Sequence, residues 1–365
     1  MRRIIAQTRK ELTQIMRDRL ALALALVLPL GLLLLLGTAI SLTVNDLPIV
    51  VQDLDDSPAS RDFIDAFRAS ITFHVVPWPS DRKPEQALLQ NTARAALVIP
   101  VHFGRDLARG VDTPVQMLVD ATDANTAKLV QGYAGQVAQA NSGGAARPDA
   151  VKAEIRLWFN PGRVSKQFYG PGIFVLGISM FPPLLAALAM AKEGEQKTIL
   201  QVYVSNISAH EFLLGKIFAF MLIALVESAL CLTLLFTYFG LTIAGDPTPL
   251  IVATILYTFV VATFGTLVGS AIPSQAAAIQ AIALGGFLLI FLLSGLIFPV
   301  ENIPAGLRWV SGLVWGRYYI VIVRDALLQG GGWPAIWLNV LVIGFMGLVL
   351  YGVAWRGVRR MQLSY

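Results

Sequence analysis

Residues 247–300 run without a single charged side chain, and equally bare stretches lie at 20–45, 167–191 and 326–355. A hydrocarbon core of ~30 Å takes about 20 apolar residues per helical crossing, because in lipid each backbone amide must find its partner inside its own helix. The bare stretches therefore read as membrane spans. Composition agrees: 56% of residues are hydrophobic and 14% charged, far below the roughly 25% charge of soluble domains.

The same inventory excludes several function classes. The net charge of +5 comes from basic residues that are scattered or gathered at span ends, with no aromatic-interleaved stripe, so no nucleic-acid partner is expected. Cys231 is the lone cysteine and lies in an apolar run, while His74, His102 and His210 are far apart, so no metal site is predicted. No G-x-S-x-G elbow is present. The phosphate cradle G-x-x-x-x-G-K-[ST] is also missing, since Gly330 to Gly332 are followed by Trp333; the chain is expected to bind no cofactor and to hydrolyse no ATP itself.

Residues 1–19 place Ile4, Ile5, Leu12, Ile15 and Met16 on one side of a helix, with Arg3, Lys10, Arg17 and Asp18 mostly elsewhere, which predicts an interfacial amphipathic helix whose basic residues face anionic lipid, a cytosolic extension of span 1 being the alternative. A first span follows at 20–42; its apolar run is too long for a cleaved signal segment of ~7–15 residues. Acids and bases return at 43–167. There, strands at 48–54, 73–76, 95–99 and 114–119 alternate with helices at 57–69, 84–94, 101–109 and 125–140, predicting an inserted α/β domain with a parallel or mixed sheet. Residues 141–149 read as a flexible connector, and 151–159 fit a strand or a helix equally.

The remaining chain, 168–365, holds spans 2 to 6: 168–191, 216–239, 250–270, 276–298 and 333–355, with a polar loop at 192–215. The break SAIPSQ at 270–275 separates spans 4 and 5. A polar interlude with Glu301, Arg308, Arg317, Arg324 and Asp325 precedes span 6. Lysines and arginines of the start, the 192–216 loop and the tail fall on one side of this six-span plan. That side should be the cytoplasm, with both termini in it. The arginines of the outer interlude run against that bias.

Four intramembrane or clustered acids invite a role. Glu227 falls mid-span, where a carboxylate costs several kcal/mol; it serves either a transport path or helix packing. Asp53, Asp55 and Asp56 close the first domain strand, where α/β folds place ligands, although a solvated turn explains them as well. In the 191–217 loop, Ser208 followed by Glu211 is a capping box that opens the next helix, and the segment is long for a plain helix connector of 2–8 residues.

This loop resembles that of the type-2 ABC export permeases, in the positions Glu193, Thr198, Ser205, Ile207, Ser208, Glu211, Gly215 and Lys216. Lys10, Glu11, Arg17 and Asp18 are similar to the family's amphipathic start, Asn160, Pro161, Pro171 and Gly172 to its approach to span 2, and 294–304 with Arg324 and Gly330 to its outer re-entry after span 5. The resemblance implies a membrane α-helical fold with an extracytoplasmic α/β domain between helices 1 and 2. It implies an export permease of the bacterial inner membrane that pairs with a second permease as homo- or heterodimer. ATP would be consumed by a separate ATPase subunit docking on the 192–215 coupling loop, and the external domain would meet a periplasmic adaptor or gate exit. Ser294 and Gly295 are small residues of span 5 suited to close helix approach. A membrane-anchored sensor or scaffold, and an ion-coupled carrier using Glu227, are the competing readings.

Overall fold

The computed structural model describes residues 1–39, 46–70, 72–79, 82–90, 92–111, 113–119, 130, 132–137, 165–196, 207–272, 274–296, 300 and 303–363. The chain divides into two compact units, one of residues 1–40 and 157–365 and one of 41–156. The first is helical. Among the described residues, six of its helices are long and apolar enough to cross a membrane.

The helical unit opens with α1, Arg2–Arg17, and α2, Arg19–Ala39, separated only by Asp18, whose extended backbone breaks the helix. Ala25, Pro29, Leu33 and Gly37 recur every four residues and form the buried stripe of α2. In the numbering used below, α3 to α5 belong to the second unit, so the helical unit resumes with α6, Ser165–Glu195, which holds Pro171, Pro182 and Pro183 internally. Helix α7, Ala209–Thr237, begins at the Ser208 cap: Ser208 Oγ accepts from the Glu211 amide at 3.2 Å and the Ser208 amide donates back to Glu211 at 3.1 Å. Helix α8 is Thr248–Ala271. The fifth crossing is composite: α9, Gln275–Ile282, a π-helical turn at Ala283–Leu288 that contains Gly285 and Gly286, and α10, Leu289–Leu293.

The polar interlude is itself helical. Helix α11, Ala305–Gly312, and α12, Trp315–Arg324, are followed by a π-helical turn at Asp325–Gln329, and α13, Trp333–Leu363, completes the unit. Its arginines serve the backbone: Arg324 donates to the carbonyls of Gly295 and Leu296, and Arg308 to that of Ile303. Arg317 donates to Ser311, which donates to the Leu293 carbonyl. Cations at the C-terminal end of a helix satisfy carbonyls that have no partner within it.

Helices α6 and α8 pack at backbone distance. A methyl on Gly265 would lie 2.3 Å from the Pro183 carbonyl oxygen, and one on Gly269 2.4 Å from that of Ala187. Gly265 and Gly269 thus form a small-xxx-small seam. A polar seam lies alongside: Tyr257 of α8 stacks on Tyr319 of α12 with centroids 4.0 Å apart, the Tyr257 hydroxyl meets Ser179 Oγ, and the Tyr319 hydroxyl lies 2.8 Å from Thr254 Oγ1.

The second unit holds β1, Leu47–Asp53, α3, Pro58–Arg68, β2, Phe73–Val75, α4, Pro84–Leu89, β3, Ala95–Ile99, α5, Phe103–Ala108, and β4, Gln116–Val119. The sheet order is β2-β1-β3-β4, with β1 parallel to β2 and β3, and β4 antiparallel to β3. Period-two alternation builds two cores. Ile49, Leu97 and Ile99 pack with Phe63, Phe67 and Phe103 on one face, whereas Val50 and Ala96 meet Ala87 of α4 on the other.

Several boundaries differ from the sequence reading. Helix α4 ends at Leu89 rather than 94, because the Thr92 and Ala93 amides both turn back to the Ala87 carbonyl and Arg94 joins the sheet through Pro48. Span 5 ends at Leu293 rather than 298, just before Gly295 at φ 86°. The 192–215 segment is shorter as a loop than its polarity suggests: α6 runs to Glu195 and α7 starts at Ala209, since the charges on those helix ends find partners in each other. The expected connector at 141–149 and the segment 151–159 lie outside the described residues, as does most of the 125–140 helix.

Candidate functional site

Helix α1 carries three kinds of surface, set by the 3.6-residue period. Gln7, Glu11 and Ile15 are its buried stripe. They lie against the start of α7, where Gly215 allows contact: a methyl there would stand 2.6 Å from the Gln7 side chain and 3.2 Å from the Ile4 carbonyl oxygen. Thr8 Oγ1 donates to the Gly215 carbonyl at 3.0 Å.

At this contact four charges converge from three helices. Lys216 Nζ, wholly buried, lies 3.1 Å from Glu11 Oε1 and 3.0 Å from Glu193 Oε2. Lys10 Nζ sits 2.7 Å from Glu193 Oε1 and 3.2 Å from Glu11 Oε1. Gln7 Nε2 donates to Glu11 at 2.9 Å, and the Phe212 ring lies under Lys216, 5.4 Å from its nitrogen. Burial opposes the charge of Lys10, but the carboxylates of Glu11 and Glu193 outweigh it and raise its pKa. Two cations and two anions leave the cluster neutral. A sealed charge is tolerable only under such pairing.

The knot ties the last turn of α6 to the first turns of α7, so both roots of the intervening loop are fixed to each other and to α1. Arg3 adds a partly exposed contact to Glu211 at 3.6 Å. The structure therefore gathers Glu193 and Lys216 with Lys10 and Glu11. Ser208 and Glu211 cap the same helix start, and Ile207 is half-buried against the core beside them. Thr198 and Ser205 lie outside the described residues. Sequence reasoning singled out Lys10 and Glu11 only as part of an amphipathic start. Their pairing with Glu193 and Lys216 has a signal in retrospect: an acid on the apolar side of α1 needs a cation.

Glu227 and Ser294 take no part in the knot. Glu227 sits mid-α7, 1% exposed, near Gly177 of α6, whose own neighbour is Pro29 of α2. Neither carboxyl oxygen has a hydrogen-bond partner among the described residues, and the same holds for Ser294 Oγ at the end of α10. Asp325, which the sequence reading places only in the polar interlude, is a further buried acid. It accepts the amides of Gly331 and Gly332 at 3.0 and 2.9 Å and so fixes the turn into α13.

In the second unit, the three aspartates turn out to be turn-builders. Asp53 accepts the amides of Asp55 and Asp56 and the Ser60 hydroxyl, and Asp56 pairs with Arg61 at 2.9 Å. Asp55 accepts the Gly104 amide at 2.8 Å, and its pKa is lowered by hydrogen bonds from Ser57 and from that amide. Among the described residues, no group of three or more histidine, cysteine or acidic side chains could hold a metal ion.

A helical unit of six apolar helices with an ion-paired amphipathic start fits the comparisons with known proteins. The model of the ABC-2 family transporter protein matches residues 20–356. The chain is 27% identical to the probable multidrug ABC transporter permease YbhS of Escherichia coli K12, over 98% of this chain and 97% of that one. It is 25% identical to the probable multidrug ABC transporter permease YbhR of the same strain, covering 96% and 97%, and 24% identical to its inner membrane transport permease YhhJ, covering 94% of each. The match spans all six crossings and the sheet between the first two, so this chain belongs to the ABC-2 family of transporter proteins and is a multi-pass membrane permease subunit.

Proposed function

We propose that the chain is the membrane-spanning half of an ATP-driven exporter: ATP is hydrolysed on separate ABC ATPase subunits that dock on the 192–215 segment from the cytoplasm, and two permeases pair around the substrate path. The observation that carries this reading is the Lys10–Glu11–Glu193–Lys216 knot. ATP binding elsewhere can shift a permease only through contacts that differ between two states of the ATPase. A loop whose two roots are locked together delivers such a contact to α6, α7 and α1 as one body. Glu193 in this scheme transmits the push rather than receiving it, since its carboxylate is buried within the knot against Lys10 and Lys216.

Both termini are then cytoplasmic, residues 43–167 lie on the outer side where they can meet a periplasmic adaptor, and the membrane is the bacterial inner membrane. Two of the relatives are named as probable multidrug permeases, which favours small amphipathic cargo. The test is reconstitution. An ATPase lacking spans of its own should copurify with the chain and gain substrate-dependent turnover in proteoliposomes, and a cysteine at Leu200 should label only from the cytoplasm. Labelling of that cysteine from outside, or transport without ATP, overturns the reading. One observation favours an ion-coupled carrier instead, the unpartnered carboxyl of Glu227; that reading requires transport to collapse with the proton gradient and in Glu227→Gln.

A further inference from the structure

Beside its buried stripe, α1 leaves two adjoining surfaces, of which the ion knot engages only Lys10. On one flank, Ile5, Thr8 and Leu12 face Phe218, Met221 and Leu222 of α7 across an open groove of about 470 Å³. Next to it runs a cationic crest of Arg2, Arg9 and Arg17, and Arg9 lines both surfaces. No acidic side chain lines either of them. Arg3 and Lys10 are engaged by Glu211 and by Glu193 with Glu11, whereas among the described residues Arg2, Arg9 and Arg17 have no ion-pair partner.

The groove continues onto the membrane helix. Phe218, Leu222, Val226 and Leu230 of α7 recur every four residues and are 41%, 46%, 53% and 39% exposed, a single apolar stripe of about 18 Å at 1.5 Å rise per residue. A ligand suited to this surface carries an anionic head for the guanidinium groups and a long apolar tail in line with it. A soluble protein could neutralise the crest but could not follow a stripe that runs down a membrane span.

We propose that the groove between α1 and α7 is a binding site for an anionic phospholipid, with its phosphate held by Arg9 and Arg2 and one acyl chain laid along Ile5, Phe218 and Leu222. Guanidinium groups pair with phosphate through two parallel donors, and each basic residue near a charged leaflet adds attraction. The site is independent of whether an ATPase docks on the loop. It gives α1 a lipid-dependent anchor on the flank beside its ion-paired anchor.

Native mass spectrometry of the full chain, delipidated in detergent and titrated with phosphatidylglycerol or phosphatidylcholine, tests it. Phosphatidylglycerol should be retained at least tenfold more strongly, and Arg2→Gln with Arg9→Gln should abolish that preference. Leu222→Trp, which fills the groove and leaves every arginine in place, should weaken retention independently. Hydrogen exchange across residues 2–17 should stay protected in each variant, because the knot is untouched. Equal retention of the two lipids, or unchanged preference in the arginine variant, overturns the proposal. So does competition by glycerol phosphate at matched concentration, which would mark a free-phosphate site without an acyl chain. An arginine variant that impairs only ATPase binding would reassign the crest to a protein partner.

Discussion

Lys216 Nζ lies 3.1 Å from Glu11 Oε1 across 205 positions of sequence, with both side chains sealed from solvent. Removing one member of a buried pair leaves an uncompensated charge and costs ~3–5 kcal/mol. Lys216→Met should therefore lower the thermal stability of the chain in detergent markedly. Adding Glu11→Gln restores neutrality and should recover part of the loss, a coupling readable from a double-mutant cycle. Additive losses would show that the two residues do not act as a unit.

The seam between α6 and α8 admits no side chain at two places. With the Pro183 and Ala187 carbonyls 2.3 and 2.4 Å from the position of an added methyl, the obstacle is backbone and cannot rotate away. Gly265→Ala and Gly269→Ala should each destabilise by about 1–3 kcal/mol or more, measured as loss of folded protein on size-exclusion chromatography. Gly352→Ala, with open space around it, is the control and should behave like the parent.

Glu227→Gln keeps shape and removes the ability to carry charge. If the permease runs on ATP alone, this variant should export at nearly the parental rate, and a protonophore should leave ATP-driven export in inverted vesicles intact. Glu227→Lys, which forces a charge into a buried site with no hydrogen-bond partner among the described residues, should instead prevent stable accumulation. Loss of export in Glu227→Gln with normal accumulation would favour the ion-coupled reading.

Asp55 links the loop after β1 to the first turn of α5 through the Gly104 amide. Its folded pKa is lowered, so its contribution is fully present above the ordinary carboxylate value near 3.8 and is lost as pH falls through the lower folded value. Exchange of the Gly104 amide, corrected for intrinsic rate, should accelerate on acidification below about pH 4. In Asp55→Asn that step should be absent.

The membrane class, the six crossings and the interrupted α/β insertion were legible because each rests on local rules. Apolar runs without charge must span lipid, period-two alternation must sit in a sheet, and Ser208 with Glu211 must open a helix. The ends of elements were less legible. Where α4 stops depends on Arg94 joining Pro48, and where α6 stops and α7 starts depends on charges that find one another only in space.

What the sequence determined alone is therefore where the chain enters lipid and which faces turn inward, since hydrophobic transfer and backbone hydrogen bonding act over a few residues. Only the tertiary structure decided what the buried charges do. Lys10, Glu11, Glu193 and Lys216 become a neutral knot because three helices bring opposite charges within 3.2 Å, while Glu227 meets no partner among the described residues. Pairing across such separations is a property of packing, and no local pattern encodes it.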